Sequence, residues 1–188
     1  MEFNIESKHL NGIVVIIPEV FQDARGFFFE SFRSDKFAEL GLPTEFVQDN
    51  HSRSAKGVVR GLHFQWEPPM GKLMRVTSGR GFLVAVDVRK NSPTLGQWFG
   101  IESSPVNRRM VYAPHGFARG FCSLEDNTEV QYKCTGIYNK KFESNILWND
   151  PEIGIKWPLI NVLVSDRDKN AETLRQWLAR PESENFSY

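Results

Sequence analysis

The chain has 188 residues, the size of one ordinary domain, and its 40% hydrophobic and 13% aromatic content excludes a disordered or low-complexity protein. Its 23 Lys and Arg balance its 23 Asp and Glu, so no overall electrostatic field draws it to nucleic acid or to an anionic membrane. The longest apolar run, residues 13–17, is far shorter than the roughly 20 residues of a membrane span, and the N-terminus lacks a signal-peptide core. We therefore expect a cytoplasmic protein.

Short segments rich in β-branched and aromatic residues follow one another along the chain and predict strands. These segments are residues 12–17, 26–31, 58–65, 73–77, 82–88, 98–102, 109–113, 116–123 and 130–135. Residues 78–81, Ser-Gly-Arg-Gly, predict a hairpin that pairs the strands on either side, because glycine supplies positive φ angles.

Helix patterns are sparse. Ser34 can cap a short helix that ends at Gly41, and residues 171–179 predict a second helix. Cys122 and Cys134 lie in apolar strand-like stretches, which favours buried thiols over a disulfide framework. Many short strands with peripheral helices predict one antiparallel sandwich or barrel over residues 1–188, with the jelly roll as a member of that class.

His63 lies among apolar residues of a predicted strand. A single histidine in such a strand is more often a hydrogen-bonded structural residue than a catalytic one. In a regular strand, Arg60 and His63 lie on opposite faces, because they are an odd number of positions apart. If both serve one site, Gly61 must mark a bulge or a bend.

Tyr132 belongs to an alternating segment in which Val130, Tyr132 and Cys134 share the inward face. Burial of its ring with a bonded hydroxyl is the commoner role, and proton transfer is the alternative. Residues 48–52, Gln-Asp-Asn-His-Ser, form a polar cluster for which a plain loop is the default interpretation. Isolated cations could converge on a phosphate group, although each alone is more often a surface charge; these are Arg25, Arg60, Lys72, Arg119 and Arg167.

Metal and nucleotide motifs are missing from the sequence. The four histidines are widely spaced, with no His-x-His pair followed by a glutamate, and no glycine-rich nucleotide loop is present. We therefore expect no metal site.

Sequence blocks spread in order over roughly residues 10–170 share one family pattern. They include Asp23-x-Arg25-Gly26-Phe27-Phe28-x-Glu30, Phe-Val-Gln-Asp-Asn at 46–50, Arg-Gly-Leu-His-Phe-Gln at 60–65, Gly-Lys-Leu at 71–73, Tyr-Lys-Cys-Thr at 132–135 and Trp-Asn-Asp at 148–150. Together these blocks resemble the dTDP-4-dehydrorhamnose 3,5-epimerase family. The resemblance implies a cupin-type jelly roll, a homodimer with exchanged N-terminal strands, a nucleoside-diphosphate 4-keto-6-deoxyhexose substrate, and no cofactor.

The resemblance also implies a role for individual residues. It makes His63 the proton acceptor, Asp168 its carboxylate partner and Tyr132 the proton donor, while Lys72 suits the charge of an enolate oxygen. Implied nucleotide contacts are Arg25, Glu30, Gln48, Asn50, Arg60, Glu143, Arg167 and Tyr138, the last of these stacking on an aromatic ring.

Two positions depart from the family pattern. Arg119 stands where the family usually has histidine, and Arg167 stands where lysine is common. We expect Arg119 to contact the diphosphate, because a guanidinium fork suits phosphate oxygens; pairing with Glu125 or Asp126 is the alternative.

Other functions stay open at the level of sequence. A 3-epimerase or a 5-epimerase on a related nucleotide sugar would share most of these residues. A non-catalytic sugar-binding cupin does not need His63, Asp168 and Tyr132 together, and a metal-dependent cupin oxygenase needs a ligand set that the sequence lacks.

Overall fold

A computed structural model describes residues 1–188 and shows a protein built mainly of strands. The strands are β1 (Phe3–His9), β2 (Ile13–Pro18), β3 (Phe21–Asp23), β4 (Gly26–Phe28), β5 (Gln48–Ser54), β6 (Val58–Gln65), β7 (Lys72–Ser78), β8 (Gly81–Asp87), β9 (Trp98–Ser103), β10 (Met110–Ala113), β11 (Phe117–Ser123), β12 (Thr128–Cys134), β13 (Glu143–Asn145) and β14 (Leu163–Val164). The helices are α1 (Ser34–Glu39), α2 (Asp166–Lys169) and α3 (Leu174–Leu178), with 3-10 helices at Lys140–Phe142 and Pro181–Phe186. No helix has the length and apolar character to cross a membrane.

Two sheets face each other. The first sheet has the order β1-β2-β10-β7-β12-β5, and the second has the order β13-β6-β11-β8-β9, with β14 added to β6 in parallel. Every other pairing is antiparallel, and most neighbours in a sheet are distant in sequence. This arrangement confirms the predicted antiparallel jelly roll.

The core has three layers, because side chains alternate between the faces of each strand. In β8, Leu83 and Ala85 point between the sheets, where they pack with Phe117 and Phe121. Val84 and Val86 point outward, and the C-terminal segment covers them with Trp177. The outer face of the first sheet is covered by Phe37 of α1. Burial on both faces explains why residues 82–86 are continuously apolar rather than alternating.

The predicted hairpin at residues 78–81 is a tight turn, but the pairing predicted for it is wrong. β7 lies between β10 and β12 in the first sheet, while β8 lies between β9 and β11 in the second. Both edges of each strand are therefore occupied, and the turn carries the chain from one sheet to the other. Gly79 adopts a φ of 68° there, and an added Cβ would lie 2.8 Å from Oγ1 of Thr128.

Some elements differ from the sequence-based predictions. Residues 48–52 are part of the edge strand β5 rather than a plain loop, because their alternate polar side chains face the space between the sheets and not solvent. Ser34 begins α1, whose N-cap is Arg33. The short elements β13 and α2 were not predicted, since three or four residues carry no periodic pattern.

β6 contains the bulge that a shared site for Arg60 and His63 requires. Arg119 of β11 pairs with His63, whereas Phe121 pairs with Arg60, so three steps along β6 match two steps along β11. Gly61 has a φ of +132°, and a Cβ added to it would lie 2.6 Å from the Cα of Gly120. The bulge therefore depends on glycine at this position.

We expect Gly61→Ala to lower the free energy of unfolding by about 3–5 kcal/mol, because backbone strain and overlap with β11 add. Gly26→Ala is the matched control: Gly26 has a φ of +125°, but no atom lies within 4 Å of its added Cβ. It should cost only about 1–2 kcal/mol. Urea unfolding of both variants measures the difference, and equal losses would show that the contact with β11 contributes nothing.

Candidate active site

A cleft opens between the two sheets and has two lobes that share His63, Lys72 and Tyr132. The deep lobe, about 150 Å³, is also lined by Ser52, Arg60, Met74, Arg119, Gly120 and Phe121. The outer lobe, about 310 Å³, is also lined by Gln48, Asn50, Met70, Cys134, Tyr138, Glu143 and Arg167. Residues from β5, β6, β7, β11, β12 and α2 thus meet in one place.

His63 is oriented by a buried carboxylate. Ser165 caps α2, because its hydroxyl oxygen accepts a hydrogen bond from the backbone N–H of Asp168. With α2 held in this way, the side chain of Asp168 points toward β6. Oδ1 of Asp168 accepts from Nε2 of His63 at 2.8 Å, and Oδ2 accepts from the backbone N–H of Gly61 at 3.2 Å. With Nε2 donating, Nδ1 of the neutral ring carries the free lone pair.

The electrostatics of Asp168 agree with that role. Burial by itself would raise the pKa of Asp168, but hydrogen bonds from His63 and from the Gly61 N–H more than offset burial, so this pKa lies below its ordinary value. Nδ2 of Asn145 adds a third donor at 3.3 Å. Asp168 is therefore a carboxylate at neutral pH, able to hold the ring and to stabilise an imidazolium.

Lys72 and Tyr132 lie on neighbouring strands of the opposite wall. Tyr132 pairs with Met74, and Cys134 pairs with Lys72, which places all four side chains on the inner face of the first sheet. Nζ of Lys72 lies 4.9 Å from the centre of the Tyr132 ring. Burial, and then the nearby charge of Arg119, lowers the pKa of Lys72 to about 8. Burial raises the pKa of Tyr132, so its hydroxyl is protonated at neutral pH.

Arg119 is enclosed at the base of the deep lobe, with 3% of its surface exposed. Its Nη1 donates to the backbone carbonyls of Met70 at 2.7 Å, Pro114 at 3.0 Å and Ala113 at 3.3 Å. Its Nε and Nη2 are buried and have no hydrogen-bond partner.

No carboxylate neutralises the charge of Arg119. The side chains of Glu125 and Asp126 bond instead to Arg80 and to the backbone N–H of Lys56. Burial lowers the pKa of Arg119 to about 10, so it remains a cation at neutral pH.

The outer lobe combines polar groups, cations and one exposed ring. Oε2 of Glu143 accepts from the Tyr138 hydroxyl at 2.9 Å and from Nη2 of Arg167 at 2.7 Å. Gln48 accepts from the backbone N–H of Tyr138 and donates to Asn50. Tyr138 is 47% exposed, so its ring is available for stacking.

Three predicted site residues do not line the cleft of their own chain: Asp168, which lies behind His63, and Arg25 and Glu30, which lie elsewhere. Arg25 lies at the turn of the β3–β4 hairpin and pairs with Asp23, and Glu30 pairs with Arg33. Sequence reasoning missed Ser52, Met70, Met74 and Phe121 as lining residues. The alternation along β5 and β7, which puts Ser52 with Asn50 and Met74 with Lys72, is the signal that could have found two of them.

A sequence profile described as dTDP-4-dehydrorhamnose 3,5-epimerase matches residues 7–176. This chain belongs to that family. Among its relatives is the dTDP-4-dehydrorhamnose 3,5-epimerase of Methanothermobacter thermautotrophicus, 50% identical over 178 residues that cover 93% of this chain and 96% of the relative. The protein of the same name from Shigella flexneri is 49% identical over 171 residues, covering 90% and 94%.

A solved epimerase structure has the same fold. The crystal structure of dTDP-6-deoxy-D-glucose-3,5-epimerase from Legionella pneumophila, in complex with dTDP-4-keto-L-rhamnose, is 43% identical to this chain. The match between the two structures covers 97% of each chain, with a TM-score of 0.92. The family resemblance, the jelly roll and the isomerase class predicted from the sequence are thereby confirmed.

Proposed function

We propose that this epimerase-family chain inverts C3 and C5 of a dTDP-linked 4-keto-6-deoxyhexose, converting dTDP-4-dehydro-6-deoxyglucose into dTDP-4-dehydrorhamnose. The observation that carries the proposal is the oriented base: His63 bonded to buried Asp168 at 2.8 Å, in one cleft with Lys72 and Tyr132. A pure sugar-binding cupin needs no such set, because binding requires neither a base nor an acid on the facing wall.

The C4 ketone makes the hydrogens on C3 and C5 acidic. Nδ1 of His63 removes one of them, the C–H electrons form a C=C bond, and Lys72 stabilises the negative charge that develops on the C4 oxygen. Tyr132 gives its hydroxyl proton to the same carbon from the opposite face, which inverts the centre. Exchange with solvent then returns a proton to Tyr132 and removes one from His63. The same cycle at the other carbon completes the reaction.

The outer lobe and its rim would hold the nucleotide. Arg60 and Arg167 offer cationic donors for the diphosphate, and Tyr138 offers a ring for the base. Gln48, Asn50 and Glu143 offer amide and carboxylate groups for hydroxyl or base contacts. No metal or other cofactor and no nucleic acid or membrane partner is part of the proposal. The buried free thiols of Cys122 and Cys134 suit the reducing cytoplasm that we propose as its location.

The active unit in this proposal is a homodimer of one jelly-roll domain. β1 and β2 pair within their own chain, so the part of the N-terminal segment free to cross to a partner is the β3–β4 hairpin. Its phenylalanines Phe21, Phe27 and Phe28 are 53%, 57% and 62% exposed, an apolar patch that a second copy would cover. The crossing would carry Arg25 and Glu30 into the cleft of the partner.

We expect His63→Ala to lose deuterium incorporation at both C3 and C5 by about 10²–10⁴-fold or more, since the general base is gone. Asp168→Asn should fold but turn over more slowly, because an amide can favour the wrong imidazole tautomer. The measurement is NMR of the 4-keto nucleotide sugar in heavy water with chelator-treated protein. Near wild-type exchange in His63→Ala would remove this residue from the mechanism, and wild-type exchange at one carbon only would indicate a 3- or 5-epimerase.

We expect Tyr132→Phe to keep proton abstraction but to lose inversion, because only the hydroxyl is removed and the ring still packs beside Lys72. Deuterium should therefore enter the substrate faster than the inverted sugar appears. Time courses that follow both signals in one sample make the comparison. Formation of the doubly inverted product at the normal rate would identify water or another group as the donor.

The crossing of the hairpin predicts complementation between inactive variants. Co-expressed Arg25→Ala and His63→Ala should form heterodimers with one complete cleft each, giving about a quarter of wild-type activity if the chains mix at random. Co-expression of His63→Ala with Tyr132→Phe is the control. It should restore no activity, because both residues belong to the cleft of the same chain. A monomer at micromolar concentration, or no recovery in the first pair, would contradict the proposed dimer.

A further inference from the structure

We infer, on the basis of the proposed function, that Arg119 is a positioning residue rather than a diphosphate ligand: it is a fixed buried cation that makes Lys72 a proton donor to the C4 oxygen of the sugar. The inference starts from the way the guanidinium is held. Nη1 is shared among three backbone carbonyls, and Nε and Nη2 are shielded from solvent. Nη1 is therefore committed to carbonyls, and Nε and Nη2, although unpartnered, are enclosed by protein atoms rather than exposed to the cleft.

A buried cation without a carboxylate partner acts on its surroundings through its field. Carbonyl oxygens hold the guanidinium in place but leave its net charge intact. Lys72 lines the deep lobe together with Arg119 and, with a pKa of about 8, can release a proton at ordinary pH. The charge of Arg119 opposes a second positive charge at that ammonium, and it is the largest influence on Lys72 after burial.

Among the other groups around Lys72, Cys134 and Glu143 raise its pKa and Arg167 lowers it, each by less than Arg119 does. β12 contributes Tyr132 and Cys134, β6 contributes Arg60 and His63, β13 contributes Glu143, and α2 contributes Arg167 and Asp168. The two carboxylates in this set are already engaged: Glu143 by Tyr138 and Arg167, and Asp168 by His63. Lys72 itself makes no ion pair, and the pKa of its ammonium lies near 8.

An ammonium with that pKa can give up its proton within the catalytic cycle. As Nδ1 of His63 takes the carbon-bound hydrogen, the C–H electrons form the C=C bond and the C4 oxygen takes a proton from Nζ of Lys72. The products of the step are a neutral enol, a neutral amine and an imidazolium. When Tyr132 protonates the carbon, the enol O–H proton returns to Nζ and the ketone is restored. Because the step needs the ammonium form, activity falls as pH rises through the pKa of Lys72.

A direct titration of Lys72 tests the coupling without any substrate. Proteins carrying ¹³Cε-lysine are titrated by NMR, with Lys72→Met used to assign the signal. We expect the Lys72 midpoint to rise by roughly one pH unit or more in Arg119→Gln, since a like charge has been removed. Arg89→Gln is the control: Arg89 is a largely enclosed arginine, but it pairs with buried Asp87 away from the cleft, so the midpoint should not move. An unchanged midpoint in Arg119→Gln would overturn the inference.

Two conservative variants allow the same titration if Arg119→Gln does not fold. Arg119→His places the usual family residue here, and its ring is neutral above pH 7 to 8, so the Lys72 midpoint should again rise. Arg119→Lys keeps a cation and should stay closer to wild type. Equal midpoints in the His and Lys variants would overturn the inference.

Kinetics then separate this role from ligation of the diphosphate. In Arg119→Gln the alkaline limb of kcat/KM should move upward with the Lys72 midpoint, while KM at pH 7 changes less than about threefold. A KM raised about tenfold or more with an unmoved limb would identify Arg119 as a diphosphate ligand instead. If the wild type shows no epimerase activity, the proposed function fails while the NMR titration still reports the coupling. If activity is present and the Lys72 midpoint does not move, the inference alone fails.

Discussion

The close approach of β6 and β11 at two glycines is the constraint on which the site depends. Gly61 and Gly120 leave no room for a Cβ between the strands, and the bulge there turns Arg60 to the same side as His63. The same distortion aims the N–H of Gly61 at Asp168, so one backbone irregularity positions Arg60, the proposed base His63 and part of the hydrogen bonding of Asp168. A regular strand would place only one of the two side chains in the cleft.

The rest of the cleft follows from how the jelly roll divides its surfaces. Apolar layers cover both outer faces, so polar side chains turned inward between the sheets have access to solvent only at the open end. There the first sheet supplies Lys72 and Tyr132 and the second supplies His63, which places the proposed proton donor and acceptor on facing walls. Inversion of a carbon centre needs a proton donor and a proton acceptor on opposite sides of the sugar. The two packed sheets provide this arrangement.

Sequence reasoning located most of the strands and most of the residues that meet in the cleft, and its errors have physical causes. Continuous apolar runs such as residues 82–86 mark strands buried on both faces, and family blocks point to His63 and Tyr132. The turn at 78–81 has the residues of a hairpin, yet strand partners are chosen by the whole sheet and not by the turn. β5 looked like a loop because its inward side chains are polar. The enclosure of Arg119 by carbonyls of Met70, Ala113 and Pro114 has no signature in sequence, since any residue supplies a carbonyl.

The position of Asp168 in the chain has a consequence for biosynthesis. The base sits on β6, but its carboxylate partner arrives 105 residues later, on a helix that begins at Asp166. A growing chain can therefore form most of both sheets on the ribosome while His63 still lacks its orienting group. The proposed base is therefore oriented late, when α2 docks against β6.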